Sequence, residues 1–149
     1  MHIAIDYTPA IHQRAGIGRY TRGLVQALTR LDAENQYTLL ALGQSGAHFV
    51  PTALPTNFSI RFAPISDRWA TVLWYRLNLP LPVELFSGRA DLFHGPSFTL
   101  PPSFAPSLLT VHDLSFLRYP QGAHPALLAW LTKAVPRSLH RARHVLADS

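Results

Sequence analysis

Residues 1–31 read MHIAIDYTPAIHQRAGIGRYTRGLVQALTRL, and the hydrophobic period changes once within them. His2 to Tyr7 alternates apolar and polar side chains and is rich enough in Ile to predict a β-strand. Thr8 to Gly16 has no period and reads as a loop. Beyond it Ile17, Tyr20, Leu24, Leu28 and Leu31 recur at steps of three and four, the stripe of an amphipathic helix from about Gly18 to Leu31. A strand, a loop with two glycines and a helix is the opening of a parallel β-α-β unit.

The rest of the chain repeats that alternation. Strands are predicted at Gln36–Leu42, Phe58–Ala63, Ala90–His94, Ser107–His112 and His144–Ala147. Helices are predicted at Arg68–Leu77, ended by Pro80 and Pro82, and at Ala126–Arg141, with a kink at the internal Pro136. Gly43 to Gly46 closes the second strand, and Gly95 to Pro106 is a long proline-rich loop. The near-continuous apolar runs at Leu39–Leu42 and Leu108–Val111 suit a sheet covered on both faces. The expected fold is α/β, a Rossmann-like three-layer domain with a mostly parallel sheet and right-handed crossovers. No internal repeat and no linker divides residues 1–149.

Composition narrows the function classes. The chain has 149 residues, 48% hydrophobic and 14% charged, which is one domain's length with enough apolar content to fold. It contains no cysteine, which excludes disulfides, thiolate metal ligands and a Cys nucleophile. The N-terminus lacks the basic and apolar regions of a signal peptide, and no segment has the apolar length of a membrane span. Thirteen basic against eight acidic residues give a net charge of +5, with Lys133 the only lysine. Such a charge suits phosphate groups, nucleic acid or an anionic membrane face without choosing among them.

In an open parallel sheet, ligands sit at the carboxyl ends of the strands. Three stretches fall there. Gly16-Ile17-Gly18-Arg19-Tyr20 opens the first helix, whose uncapped N–H groups form a place for an anion. A dinucleotide is disfavoured because Thr21 replaces the third glycine, the preceding loop is long, and no carboxylate ends the second strand. Asp91-Leu92-Phe93-His94-Gly95-Pro96-Ser97 ends one strand in a histidine beside a glycine. Thr110-Val111-His112-Asp113-Leu114-Ser115-Phe116 ends another in a His–Asp pair. A metal held by His94, His112 and Asp113 lacks ligand-like spacing, and none is expected. Neither a Gly-x-Ser-x-Gly elbow nor a Walker A sequence occurs. Trp69, Trp74, Tyr75 and Trp130 lie at helical spacing and read as core or interface rather than as a base-stacking platform.

In this order the motifs resemble the N-terminal domain of a GT-B retaining glycosyltransferase of the group 1 type, family GT4. The resemblance runs from Ile3-Ala4-Ile5-Asp6, through the glycine loop and Asp91-Leu92-Phe93-His94, to the His112–Asp113 stretch with Pro120 after it, and ends in Arg137 to Ser149. It implies one half of a GT-B fold, the acceptor-side domain, whose donor-binding partner domain lies outside residues 1–149. It implies that Gly16, Ile17 and Gly18 meet the donor phosphates and that His112 contacts the transferring sugar with Asp113 in support. Arg19, Tyr20, His94, Gly95 and Ser97 would line the cleft and acceptor side. The donor would be a nucleotide sugar, with no metal or other cofactor, and the acceptor a carbohydrate or lipid-linked molecule met by the Pro96–Ser107 and Gly43–Asn57 loops.

Further expectations follow from the resemblance. Residues 1–149 alone are expected to be inactive, because half a cleft cannot exclude water. The face that would meet the second domain is expected to expose apolar area and to self-associate. The setting is expected to be cytoplasmic, with peripheral contact at the inner membrane face. The alternatives are a non-catalytic module for a sugar, nucleotide or anion, which would bind its ligand tightly as it stands, and a nucleic-acid binder, which would show steep salt dependence.

Overall fold

The computed structural model describes residues 1–14, 16–43, 48–122 and 124–148. The expected turn at Gly43–Gly46 lies partly outside the described residues, as do Ala15, part of the Gly43–Asn57 loop and Ser149.

Six strands form one sheet: β1 (His2–Asp6), β2 (Gln36–Leu42), β3 (Phe58–Ala63), β4 (Leu92–Gly95), β5 (Ser107–Val111) and β6 (His144–Ala147). Their spatial order is β3-β2-β1-β4-β5-β6, and every pairing is parallel. The fold is therefore α/β and Rossmann-like, and the sheet is wholly rather than mostly parallel. The chain leaves β1 to one side through β2 and β3, then returns to the other side through β4. The reversal between β1 and β4 is the topological switch point at which such sheets bind ligands.

Register decides which side chains share a face. Ile5 lies opposite Leu39 and His94, and Asp6 lies opposite Leu40. One face carries Ile5, Tyr37, Leu39 and Phe58 and is covered by α1 (Thr8–His12) and α2 (Ile17–Leu31). The other carries Ala4, Leu40, Phe93, Leu109 and Val111. It is covered by α3 (Asp67–Thr71), a π-helical turn (Val72–Arg76) and α4 (Glu84–Ser87). A third apolar group joins α5 (Ser115–Arg118) to α6 (Pro125–Arg141) through Phe116, Leu131 and Val135. Helix α6 continues through Pro136.

Three short helices stand where none is predicted: α1, in the stretch read as a loop, and α4 and α5, in stretches given no element. The predicted helix over Arg68–Leu77 is α-helical only to Thr71. It then widens into the π-turn, where the Leu77 N–H donates to the Val72 carbonyl five residues back at 2.9 Å. Among the described residues, no helix is long and apolar enough to cross a membrane.

One carboxylate latches the proline-rich loop onto α4. Glu84 Oε1 accepts from Ser103 Oγ at 2.6 Å, Phe104 N at 2.9 Å and Ala105 N at 3.0 Å. Glu84→Ala orphans these donors and is expected to cost about 2–3 kcal/mol in urea unfolding. A loss under 0.5 kcal/mol would show that the loop holds its shape without the latch.

Candidate functional site

At the carboxyl edge of the sheet, the switch point opens into a cleft of about 360 Å³. Its floor is the α3 side of the strand ends, Asp6, Leu40, Leu42 and Phe93. Ala70, Thr71, Trp74 and Tyr75 from α3 and the π-turn form one wall, and Leu127, Trp130 and Leu131 of α6 form another. The loop Ser97–Phe98–Thr99 and residues of α1 and the start of α2, including His12 and Ile17, close the rest. A shallower, more open groove beside β3 shares His12, Leu42 and Asp67 with this cleft.

Asp6 is the charged group of the floor. It ends an apolar strand, and one of its oxygens accepts from the Thr8 N–H at 3.0 Å. Burial pushes its carboxyl from the ordinary 3.8 up to about 6. The Thr8 hydrogen bonds oppose that shift, and the negative charge of Asp67 adds to it.

The glycine loop has two glycines with separate jobs. Gly16 precedes α2 with φ 58° and ψ −123°, a conformation that requires glycine. Gly18 has no room for a side chain: a Cβ there would lie 2.3 Å from the Gln13 carbonyl oxygen and 2.7 Å from that of Pro9. This contact lets α2 pack directly on α1. Gly16 has no side chain to cap the first turn of α2, and helix geometry leaves the first N–H groups, at Ile17, Gly18 and Arg19, without an intrahelical acceptor. Ile17 borders the cleft, whereas Arg19 is exposed on a separate groove with Arg22, Phe49 and Pro51. Thr21, where a dinucleotide fingerprint has its third glycine, is buried and donates its hydroxyl to the Ile17 carbonyl at 2.8 Å.

His112 leaves β5 toward the α2 side of the sheet. Its Nε2 lies 2.9 Å from the Pro96 carbonyl oxygen, and its Nδ1 lies 2.8 Å from Asp148 Oδ2. The two contacts together fix the plane of the ring. Tyr20 packs edge-on against the imidazole at 4.8 Å between centroids, and Phe98 does so at 5.7 Å. Phe98 also lines the cleft, so it is the partition between His112 and the space over Asp6.

The remaining expected site residues take several places. Asp113 is exposed, and its Oδ1 accepts from the Ser115 N–H at 2.8 Å at the start of α5. The hydrogen bonds from Ser115 hold its carboxyl below the usual range. His94 is buried beneath α2, 5% exposed, with Nε2 2.9 Å from Thr110 Oγ1. The Tyr20 hydroxyl lies 3.5 Å from the same Thr110 oxygen. Burial lowers His94 from 6.5 to about 4, so its imidazole is neutral. Gly95 is packed against the next loop, where a Cβ would lie 2.6 Å from Leu100 Cδ2. Ser97 lines the cleft. Ser97 and Ile17 thus border the cleft and Arg19 lies on another groove, and His112 with Tyr20 stands behind Phe98, while His94 faces away from it. Among the described residues, no group of three or more His, Asp or Glu side chains is placed to hold a metal ion.

Sequence reasoning reached the strand ends but not the walls. Trp74, Tyr75 and Trp130 read as core or interface, and they do pack in or against the core; that the same rings also line the cleft is what the reading missed. Trp69 is 63% exposed. Helical spacing groups aromatic residues on a stripe without saying what the stripe faces. Asp6 carries a sequence signal of its own, a carboxylate closing an otherwise apolar strand.

A family model described as Glycosyltransferase Family 4 matches residues 14–149. The chain belongs to that family. Searches of curated proteins and of solved structures return no significant match.

Proposed function

We propose that this member of glycosyltransferase family 4 supplies the acceptor-side half of a GT-B enzyme. In this reading, the whole enzyme moves a sugar from a nucleotide-sugar donor to an acceptor hydroxyl with retention of configuration. The observation that carries the proposal is the meeting of three features at one sheet edge. These are the cleft over Asp6, the uncapped start of α2 and the pinned ring of His112.

Each feature suits a different part of the transfer. The acceptor occupies the cleft. The first turn of α2 faces the donor diphosphate, where its N–H groups and the positive end of the helix dipole stabilise the leaving charge. His112 contacts the transferring sugar. With both nitrogens engaged by Pro96 and Asp148, it acts by the placement of its ring rather than by shuttling a proton, and Tyr20 and Phe98 hold that ring. Asp113 shapes the turn after it. The donor-binding half lies outside residues 1–149, no metal takes part, and the setting is cytoplasmic.

The test is a transfer assay over a panel of nucleotide sugars. Residues 1–149 alone are expected to transfer nothing, because the closed and dry site needs both halves. Joined to a donor-binding domain the chain is expected to turn over, and His112→Ala is expected to lower kcat about 100-fold, on the scale of losing one transition-state contact. Turnover by residues 1–149 alone would overturn the half-enzyme reading. An unchanged kcat in His112→Ala would remove His112 from the site.

A further inference from the structure

The cleft over Asp6 is chemically unlike the rest of the molecule. The chain carries thirteen arginine and lysine residues, yet among the described residues none lines the cleft, and His12 is the one basic side chain that does. Two carboxylates face it instead, Asp6 on the floor and Asp67 at the mouth. They are close enough for the charge of Asp67 to act on Asp6. A phosphate or carboxylate entering this space meets two like charges in the lining, while the nearby guanidinium of Arg141, whose charge reaches Tyr75, is held by the Leu100 carbonyl and Asn78 at 3.0 Å each.

The walls add a second, independent constraint. Tyr75 and Trp130, edge-to-face at 6.2 Å, and the more deeply buried Trp74 line it with aromatic rings. The indole N–H of Trp74 is satisfied by the Leu81 carbonyl at 2.8 Å, and that of Trp130 is buried away from the open space. A ligand suited to this site has apolar faces to lie against aromatic rings and hydroxyls to donate to carboxylates.

We propose that the cleft selects a neutral sugar ring as acceptor, a pyranoside without phosphate or carboxylate, its hydroxyls donating to Asp6 and Asp67 and its apolar face lying against Trp130 and Tyr75. This deepens the proposed function and rests on it for the word acceptor. The selectivity itself is a binding property that needs neither donor nor turnover. Asp6 and Asp67 are specificity-determining residues here: they reward hydroxyls and repel anions. The +5 charge of the chain belongs to other surfaces.

The test is a titration of the ¹⁵N-labelled chain at pH 7.5, following the indole N–H resonances of Trp69, Trp74 and Trp130. The probes are the methyl α-pyranosides of glucose, mannose and galactose, with glucose 6-phosphate and glucuronate as their anionic counterparts. At least one neutral glycoside is expected to shift the Trp130 resonance and leave that of the exposed Trp69 in place. Each anion is expected to bind at least tenfold more weakly. Asp6→Asn is expected to narrow that gap severalfold, and so is Asp67→Asn, which lies on an exposed helix start and keeps the fold intact. Anions binding as well as glycosides would overturn the proposal. So would a Trp130 resonance unmoved by every glycoside, or a gap untouched by both variants. Selective binding by a chain that never supports transfer would instead count against the enzyme reading alone.

Discussion

Gly18→Ala is expected to destabilise the protein by about 3 kcal/mol, a fall of roughly 10 °C in Tm for a chain of this length. In the middle of an exposed helix the same change is favourable by up to about 1 kcal/mol. Here the new Cβ would sit 2.3 Å and 2.7 Å from two backbone carbonyl oxygens, those of Gln13 and Pro9. Neither can step aside. The Pro9 carbonyl accepts the Gln13 N–H at 2.9 Å. The Arg22 guanidinium reaches from α2 to the carbonyls of Ala10 at 2.6 Å and Gln13 at 2.7 Å. Moving α2 away stretches that clamp and withdraws the first turn of α2 from the cleft. Two neighbours separate the causes. Gly23 lies in the same helix with open space around its would-be Cβ, so Gly23→Ala is expected to stabilise by about 0.5–1 kcal/mol. Gly16 also has open space but a φ of +58°, so Gly16→Ala is expected to cost about 1–3 kcal/mol of backbone strain alone. Thermal unfolding of the three variants checks the order. A Gly18→Ala protein as stable as the parent would mean that α1 and α2 are not locked together.

The same contact shows where sequence reading reached its limit. The two glycines are visible as a pair, and their position at the start of a helix is legible from the period that follows. That one serves φ and the other serves packing is not, because the packing partner of Gly18 is α1. A five-residue helix, Thr8–His12, is too short to show a period. The six strands were legible because β-branched and apolar runs bounded by Gly, Pro and Asp carry their own signal. The π-turn was read only as helix, since a bond to the fifth residue back leaves the stripe of apolar residues almost unchanged. Strand-end logic found both His112 and His94, yet it could not say which face each one takes. Register opposite Ile5 turns His94 beneath α2, while Asp6, one residue beyond Ile5, turns to the cleft. A shift of one residue along a strand exchanges core for site.

Those two adjacent positions are expected to give the protein opposing pH dependences that hide one another. Asp6 has a folded-state value near 6 against an ordinary 3.8. Between these values the folded protein holds the extra proton, so stability falls as pH rises through the window. Above about pH 6 the ionised carboxylate costs about 3 kcal/mol. His94 has a folded-state value near 4 against 6.5. Between these the unfolded chain holds the extra proton, so stability falls as pH drops, again by about 3 kcal/mol. From pH 6 to pH 4 the two slopes have opposite sign and similar size, and their sum is nearly flat. Each variant uncovers the other's slope. Asp6→Asn is expected to be more stable than the parent by up to about 3 kcal/mol at pH 7.5, with the gain vanishing toward pH 4. His94→Gln keeps a partner for Thr110 and is expected to become more stable on acidification from pH 6 to pH 4. Urea unfolding at pH 4, 5, 6 and 7.5 reads both, and an Asp6→Asn gain equal at pH 4 and 7.5 would rule out the ionised carboxylate as its source. A fold that tolerates an ionised Asp6 at neutral pH, where asparagine would be more stable, keeps a charge that its own packing does not need. The cost falls on a strand end that opens into the aromatic cleft, where a carboxylate has hydroxyls to receive.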